Sequence, residues 1–262
     1  MTSKSVLSLL FIGQVCLLFS KIALASHRHS LDEECVRLLG IGDWGTPQVV
    51  ATAKAMAEIV SHPSHARCAS RPASILMLGD NFYENGINSP QDPLFKEYFQ
   101  NNFEVPAFDN ITCSVVAGNH GKCHYYYHIE VLCIYDCINE IFADHRGWIT
   151  SQIEATGSKW HFPNLYYSRI FQHGKLKVLV AFIDTWELVG GEAEKNGDEQ
   201  TIVDEAQMNW LTQVLSDNHT IVDFKIVVGH YPIRSAHRNT PGLVKGLLPV
   251  LKKLNVDLYL HG

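Results

Sequence analysis

Four apolar stretches of this chain stop at glycine, and each glycine is followed by a residue that can hold a metal ion or move a proton. Residues 36–41 run into Gly42-Asp43, and residues 74–78 into Gly79-Asp80. Residues 113–117 run into Gly118-Asn119-His120, and residues 224–228 into Gly229-His230. Tyr83 follows Asp80 by three places. Carboxylate, amide and imidazole together form a donor set for divalent or trivalent metals. Two carboxylates gathered without a cation would repel each other. A lone Gly-Asp is also an ordinary strand-exit turn, because glycine bends sharply and aspartate bonds its own backbone. Four such exits in one chain favour a shared site for Asp43, Asp80, Asn119 and His230.

The elements that must position these residues are legible around them. The four stretches are short, continuous and rich in Val, Ile and Leu, the pattern of strands buried on both faces. Residues 256–262 form a fifth stretch of this kind. Helical character appears over 49–60, 92–103 and 204–217, the last with Met208, Leu211 and Leu215 along one side. Residues 242–254 read as a helix interrupted or kinked at Pro249. Residues 166–171 and 177–185 read as paired strands around a Gly-Lys turn. In open α/β sheets, functional groups collect where strands end and loops begin.

The 262 residues suffice for one sizeable α/β domain. A net charge of −6 with no basic block argues against a nucleic-acid partner. The N-terminus has the form of a secretory leader: Lys4, an apolar run over 6–19, and Ala23-Leu24-Ala25 before a cut after Ala25. Lys21 interrupts the approach to that cut, which leaves an uncleaved anchor as the other reading. Cleavage predicts a secreted or lysosomal protein with no stable membrane association. Asn110 and Asn218 each open an acceptor triplet for N-glycans. Six cysteines remain after the leader, an even number that leaves the disulfide pairing open.

Gly42-Asp43, Gly79-Asp80-x-x-Tyr83, Gly118-Asn119-His120 and Gly229-His230-Tyr231-Pro232 together resemble the calcineurin-like metallophosphoesterase superfamily. Tyr83 narrows the resemblance to the purple acid phosphatases and argues against most diesterases and nucleotidases of the superfamily. The "GDWG", "GDNFY" and "GHYP" motifs look most like the mammalian-type tartrate-resistant branch. The resemblance runs from about Cys35 to Gly262. It implies a β-sandwich of two mixed sheets flanked by helices. It also implies a binuclear metal centre that hydrolyses phosphate monoesters, one ion generating hydroxide while the pair neutralises charge. Asp43 and Tyr83 would then belong to an Fe(III) site, Asp80 would bridge, and Asn119 and His230 would hold Fe(II), Zn(II) or Mn(II). His120 would lie beside the phosphate, binding its oxygens or protonating the leaving group. His237 matches the family's second active-site histidine, although it lies close to His230 and "SAHRNT" departs from the usual surroundings.

Two departures bear on activity. The family's last motif, Gly-His-x-His, supplies a histidine to each metal, and Gly262 falls where its glycine belongs. His261 precedes that glycine and is out of register. Each ion is thus one ligand short, and the domain, 35–262, reads as C-terminally incomplete. After His120 the family continues with an acidic residue, whereas this chain carries residues 121–143 before Asp144. Gly-Lys at 121–122 can be encoded with a splice donor, and Phe-Ala-Asp at 142–144 with an acceptor. Removal of 121–143 restores Gly-Asn-His-Asp-His-Arg-Gly. The segment therefore reads as a retained intron, or alternatively as a surface insertion carrying Cys133 and Cys137. The sequence supports an acid phosphatase in origin, impaired in this form. The rival readings are a non-catalytic secreted glycoprotein on the same scaffold, or a nucleotidase or diesterase.

Overall fold

The computed structural model describes residues 6–11, 15–20, 34–62, 70–120, 147–155, 157–191, 201–219, 221–236 and 239–262. Two mixed sheets pack face to face. The first runs, in spatial order, β1 (Val6–Phe11), β2 (Val15–Ser20), β3 (Cys35–Ile41), β4 (Ser74–Met77), β5 (Thr112–Val115) and β6 (Trp160–His161). The second runs β10 (Leu258–Leu260), β9 (Phe224–Val228), β8 (Leu176–Phe182) and β7 (Tyr167–His173). β3 to β6 are parallel, as are β8 to β10, while β1, β2 and β7 join antiparallel. This is the sandwich of two mixed sheets that the resemblance implied.

Side-chain alternation explains the layering. In β8, Val178, Val180 and Phe182 face the core shared with β3 and β4. Leu179 and Ala181 face the other way, onto a second core with Leu211, Leu215, Leu243, Leu247 and Leu251. The helices Glu205–Ser216 and Leu248–Lys253 therefore cover the outer face of the second sheet. The outer face of the first sheet is covered by the helix Val49–Ser61, whose Val49, Ala53, Met56 and Val60 form a buried stripe at helical spacing. An aromatic cluster of Trp44, Phe82, Phe95, Phe99, Phe103 and Trp160 packs beside it, edge-to-face around Trp44 and Trp160 and stacked between Phe99 and Phe103.

Several elements differ in detail from their sequence patterns. Residues 93–103 are helical, but Phe95–Gln100 forms a π turn before Asn101–Phe103. Phe95, Phe99 and Phe103 are all buried, so core filling decides the winding. Pro249 sits in the first turn of Leu248–Lys253. A π turn at Leu243–Leu247 precedes it. A proline lacks the N–H that a continuous α-helix would need there. Cys35 is disulfide-bonded, whereas Cys113 is a fully buried free thiol, so not every cysteine after the leader is paired. β1 and β2 lie inside the predicted leader and form a hairpin on the edge of β3. The segment 121–143, with Cys123, Cys133 and Cys137, lies outside the described residues, as do Cys68 and His237. No helix among the described residues is long and apolar enough to cross a membrane.

Candidate metal centre

β3, β4 and β5 lie side by side in register, with Ile41 opposite Met77 and Met77 opposite Val115. Their exits therefore open at one edge of the sheet. Leu78 N–H donates to the Ile41 carbonyl at 2.8 Å, Val116 N–H to the Met77 carbonyl at 3.0 Å, and Asp43 N–H to the Gly79 carbonyl at 3.2 Å. At these exits, Asp43 and Asp80 both take left-handed backbone, with φ of 51° and 52°. Non-glycine residues rarely adopt it. The conformation turns both carboxylates out of their strand directions and toward one another. Gly118 passes so close to Asp80 that a Cβ there would run into the aspartate's side chain and backbone nitrogen. His230 arrives from the second sheet, at the exit of β9.

The side chains converge. The Tyr83 hydroxyl lies 2.7 Å from Asp80 Oδ2 and 2.9 Å from Asp43 Oδ1. His230 Nε2 lies 3.1 Å from Asn119 Oδ1 and 3.4 Å from Asp80 Oδ1. The backbone N–H of His120 donates to Asp80 Oδ1 at 2.9 Å. One donor atom each from Asp43, Asp80 and His230 falls within 4.8 Å of the others, close enough to share a cation. Asp80 and His230 are buried, while Asp43 is exposed, so the cluster is open on one side.

Burial works to raise the Asp80 pKa. The hydrogen bond and charge of His230, the His120 N–H and the Tyr83 hydroxyl outweigh it and hold the carboxyl below its ordinary value. Burial works to lower His230, but Asp80, the Asp43 charge and the Leu78 carbonyl outweigh it and raise it. Tyr83 is pushed far up, first by burial and then by the two carboxylates. A trivalent cation among these groups would invert that pattern, favouring phenolate and neutral imidazole. The donors suit hard or borderline ions, with anionic oxygens at one end and an amide oxygen and imidazole at the other.

His120 lies at the rim, its ring 4.4 Å from that of Tyr83. The contact of its Nδ1 with the Glu84 carbonyl, 2.7 Å, assigns the proton to Nδ1. His230 Nδ1 likewise faces the Leu78 carbonyl at 2.9 Å, which turns Nε2 toward the cluster. Gly262 packs against Gly42 and His230, and its N–H donates to the His230 carbonyl at 3.1 Å. The sequence reading missed Thr185. Its buried hydroxyl accepts from His230 N–H at 3.2 Å and Tyr231 N–H at 2.9 Å, bracing the β9 exit. It also missed Asn81 and Gln152, buried amides beneath the cluster. No spacing rule marks them, since each is an ordinary polar residue until the fold brings it inside.

This chain belongs to the calcineurin-like phosphoesterase family, whose model matches residues 36–262. It is homologous to tartrate-resistant acid phosphatase type 5 of mammals. The pig protein is 30% identical over 246 residues, covering 87% of this chain and 63% of its own length. The human protein is 29% identical over 248 residues, covering 87% and 66%. Purple acid phosphatase 3 of Arabidopsis thaliana is 29% identical over 198 residues, covering 72% and 47%. The chain thus spans between 63% and 66% of the length of these mammalian relatives. Among solved structures, "GAP50 the anchor in the inner membrane complex of Plasmodium" superposes with a TM-score of 0.64 at 26% identity. The match covers 87% of this chain and 65% of that one.

Proposed function

We propose that this chain derives from an acid phosphatase of the purple type, acting on phosphate monoesters through a binuclear metal centre. The observation that carries the reading is the convergence of Asp43, Asp80 and His230, with Tyr83 bonded to both carboxylates. Asp43 and Tyr83 would hold Fe(III), Asn119 and His230 would hold Fe(II), Zn(II) or Mn(II), and Asp80 would be shared. When bound, such a pair supplies a nucleophile at low pH and neutralises phosphate charge. The Leu78 carbonyl keeps the His230 proton on Nδ1 and so leaves Nε2 able to ligate. The Glu84 carbonyl orients His120, whose protonated Nε2 can donate to the leaving alkoxide as the P–O bond breaks. His237 is carried as a second histidine of this kind from the resemblance alone.

Residues 1–262 carry five of the seven ligand residues that the family pattern implies. Gly262 abuts Gly42 and His230, so residues attached beyond it would begin at the centre. A polypeptide of residues 1–262 alone should bind metal weakly and turn over slowly. The test is a p-nitrophenyl phosphate assay with metal analysis, on this chain and on a form extended with Gly-His-x-His and lacking 121–143. Acid-optimal hydrolysis with two metals in the repaired form is the expected result. A repaired form that binds two metals and hydrolyses no ester would overturn the reading. It would favour the non-catalytic alternative, which the anchor named among the structural neighbours supports. Localisation follows the leader: removal after Ala25 would take β1 and β2 with it, and exposed Asn110 and Asn218 would accept glycans in the secretory pathway.

A further inference from the structure

Asn81 follows Asp80 and is 1% exposed. Its carboxamide uses every hydrogen it carries. Nδ2 donates to the Val116 carbonyl at 2.9 Å and to Gln152 Oε1 at 3.1 Å. Oδ1 accepts the indole N–H of Trp44 at 3.0 Å. Trp44 is the residue after Asp43, and Val116 lies three residues before Asn119. One buried side chain therefore ties together the exits of β3, β4 and β5, directly beneath the residues that meet in the cluster.

We propose that Asn81 is a positioning residue: with Trp44 and Gln152 it forms a clamp that fixes the separation of the Asp43 and Asp80 carboxylates. The regular parallel ladder has ended at this point, and beyond it the β3 and β4 exits are joined by irregular backbone bonds such as Asp43 N–H to the Gly79 carbonyl at 3.2 Å. The residue following each left-handed aspartate is bonded to the residue following the other. Left-handed backbone at non-glycine residues persists only where surrounding structure over-determines it. The backbones are close enough here that a Cβ on Gly45 would run into the Asn81 carbonyl carbon and the Phe82 nitrogen. Gly45 N–H donates to the Asp80 carbonyl at 3.2 Å, and Tyr83 N–H to the Gly45 carbonyl at 2.9 Å, closing the two loops on each other.

The chemistry selects asparagine. Aspartate would face two acceptors with no donor, and glutamine is a methylene too long for a pocket this closed. Gln152 extends the clamp to the helix Gly147–Glu154, because its backbone carbonyl accepts the Trp160 indole N–H at 2.8 Å. The geometry at Asp80 is thereby coupled to the docking of a helix that otherwise takes no part in the cluster.

The inference rests on the reading of Asp43 and Asp80 as metal ligands, and its test separates the two. Trp44→Phe deletes the indole N–H, with some buried volume, and keeps an aromatic ring in the cluster. Gln152→Met deletes the acceptor while roughly keeping volume. Asn81→Ala removes all three bonds, and the two milder variants keep the test open if it does not fold. Hydrogen exchange is measured on chelator-treated protein, and zinc affinity by calorimetric titration. A clamp predicts at least ~10-fold faster exchange over 43–46 and 80–83, with Glu205–Ser216 unchanged. It also predicts zinc affinity lower by ~10–100-fold, the range for outer-sphere partners of a metal site. A uniform acceleration across the chain, or no local change, overturns the clamp whatever the zinc result. Absence of zinc binding by the unaltered chain would count against the metal reading alone, because the exchange measurement decides the clamp without metal.

Discussion

Gly79→Ala should disable the cluster without replacing any residue in it. Gly79 has φ of +99°, a conformation that a Cβ disfavours by about 1–2 kcal/mol. The added methyl would also lie 2.6 Å from His230 Nδ1, 2.7 Å from its Cγ and 2.8 Å from its Cβ. Ordinary contact begins near 3.4 Å, so the imidazole must retreat by roughly 0.8 Å. It has little room, because Gly262 packs against the same ring. Overpacking of this kind costs about 1–3 kcal/mol. The combined destabilisation is therefore about 2–5 kcal/mol, a large share of a domain's usual net stability. The retreat also pulls Nε2 away from Asn119 and Asp80, and zinc affinity should fall by at least ~10-fold. Urea unfolding of the chelator-treated protein gives the first quantity and calorimetric titration the second. A loss below about 1 kcal/mol with unchanged affinity would show that the Gly79 backbone relaxes freely and that the ring is not boxed in.

Tyr83→Phe removes the hydroxyl that bonds both carboxylates. It should lower metal-free stability by about 1.5–3 kcal/mol in urea melts and abolish visible absorption in Fe(III)-treated protein. The metal-free chain should be most stable in mild acid. His230 is raised, so its contribution is complete below the ordinary histidine value of 6.5 and lost as pH rises through its folded pKa. Asp80 is lowered, so its contribution is complete above 3.8 and lost as pH falls through its folded pKa. Thermal midpoints that climb steadily from pH 4 to pH 8 would refute that pairing. Deleting 121–143 should leave the midpoint unchanged or higher, measured by differential scanning calorimetry; a lower one would mark the segment as part of the folded domain.

The strands were legible because both faces of the sheets are buried. Residues 36–41, 74–77 and 224–228 read as continuous apolar runs, and that pattern does not depend on knowing the partner strand. Their polar exits stood out for the same reason, since Asp43, Asp80 and His230 each break a greasy run. The short strand Trp160–His161 and the helix Gly147–Glu154 were not legible. Two residues carry no periodicity, and the helix's buried Gln152 looks like any surface amide until Asn81 is seen beside it. Winding was also hidden: the Phe95, Phe99 and Phe103 spacing announces a helix, but the π turn comes from how three large rings share one core. The clamp required the fold itself, because Trp44, Asn81, Val116 and Gln152 are dispersed over more than a hundred residues.

The cluster draws Asp43, Asp80 and Asn119 from one sheet and His230 from the other. A cation held by all four would therefore link the two halves of the sandwich, and it could bind only after they had packed. Any ligand with that preference stabilises the folded state by mass action, about 2.7 kcal/mol at a hundred times its dissociation constant. In the absence of the cation, that link falls to the contacts of His230 with Asp80, Asn119 and the Leu78 carbonyl, and to the apolar interface between sheets. A chain that still binds a cation at this cluster and one that does not would thus differ in how their sheets are held. The first should melt markedly higher with zinc or iron than after chelation, whereas the second should melt at one temperature in both. The same pair of melting curves, run on this chain, asks whether its five converging residues still act on a metal or only on one another.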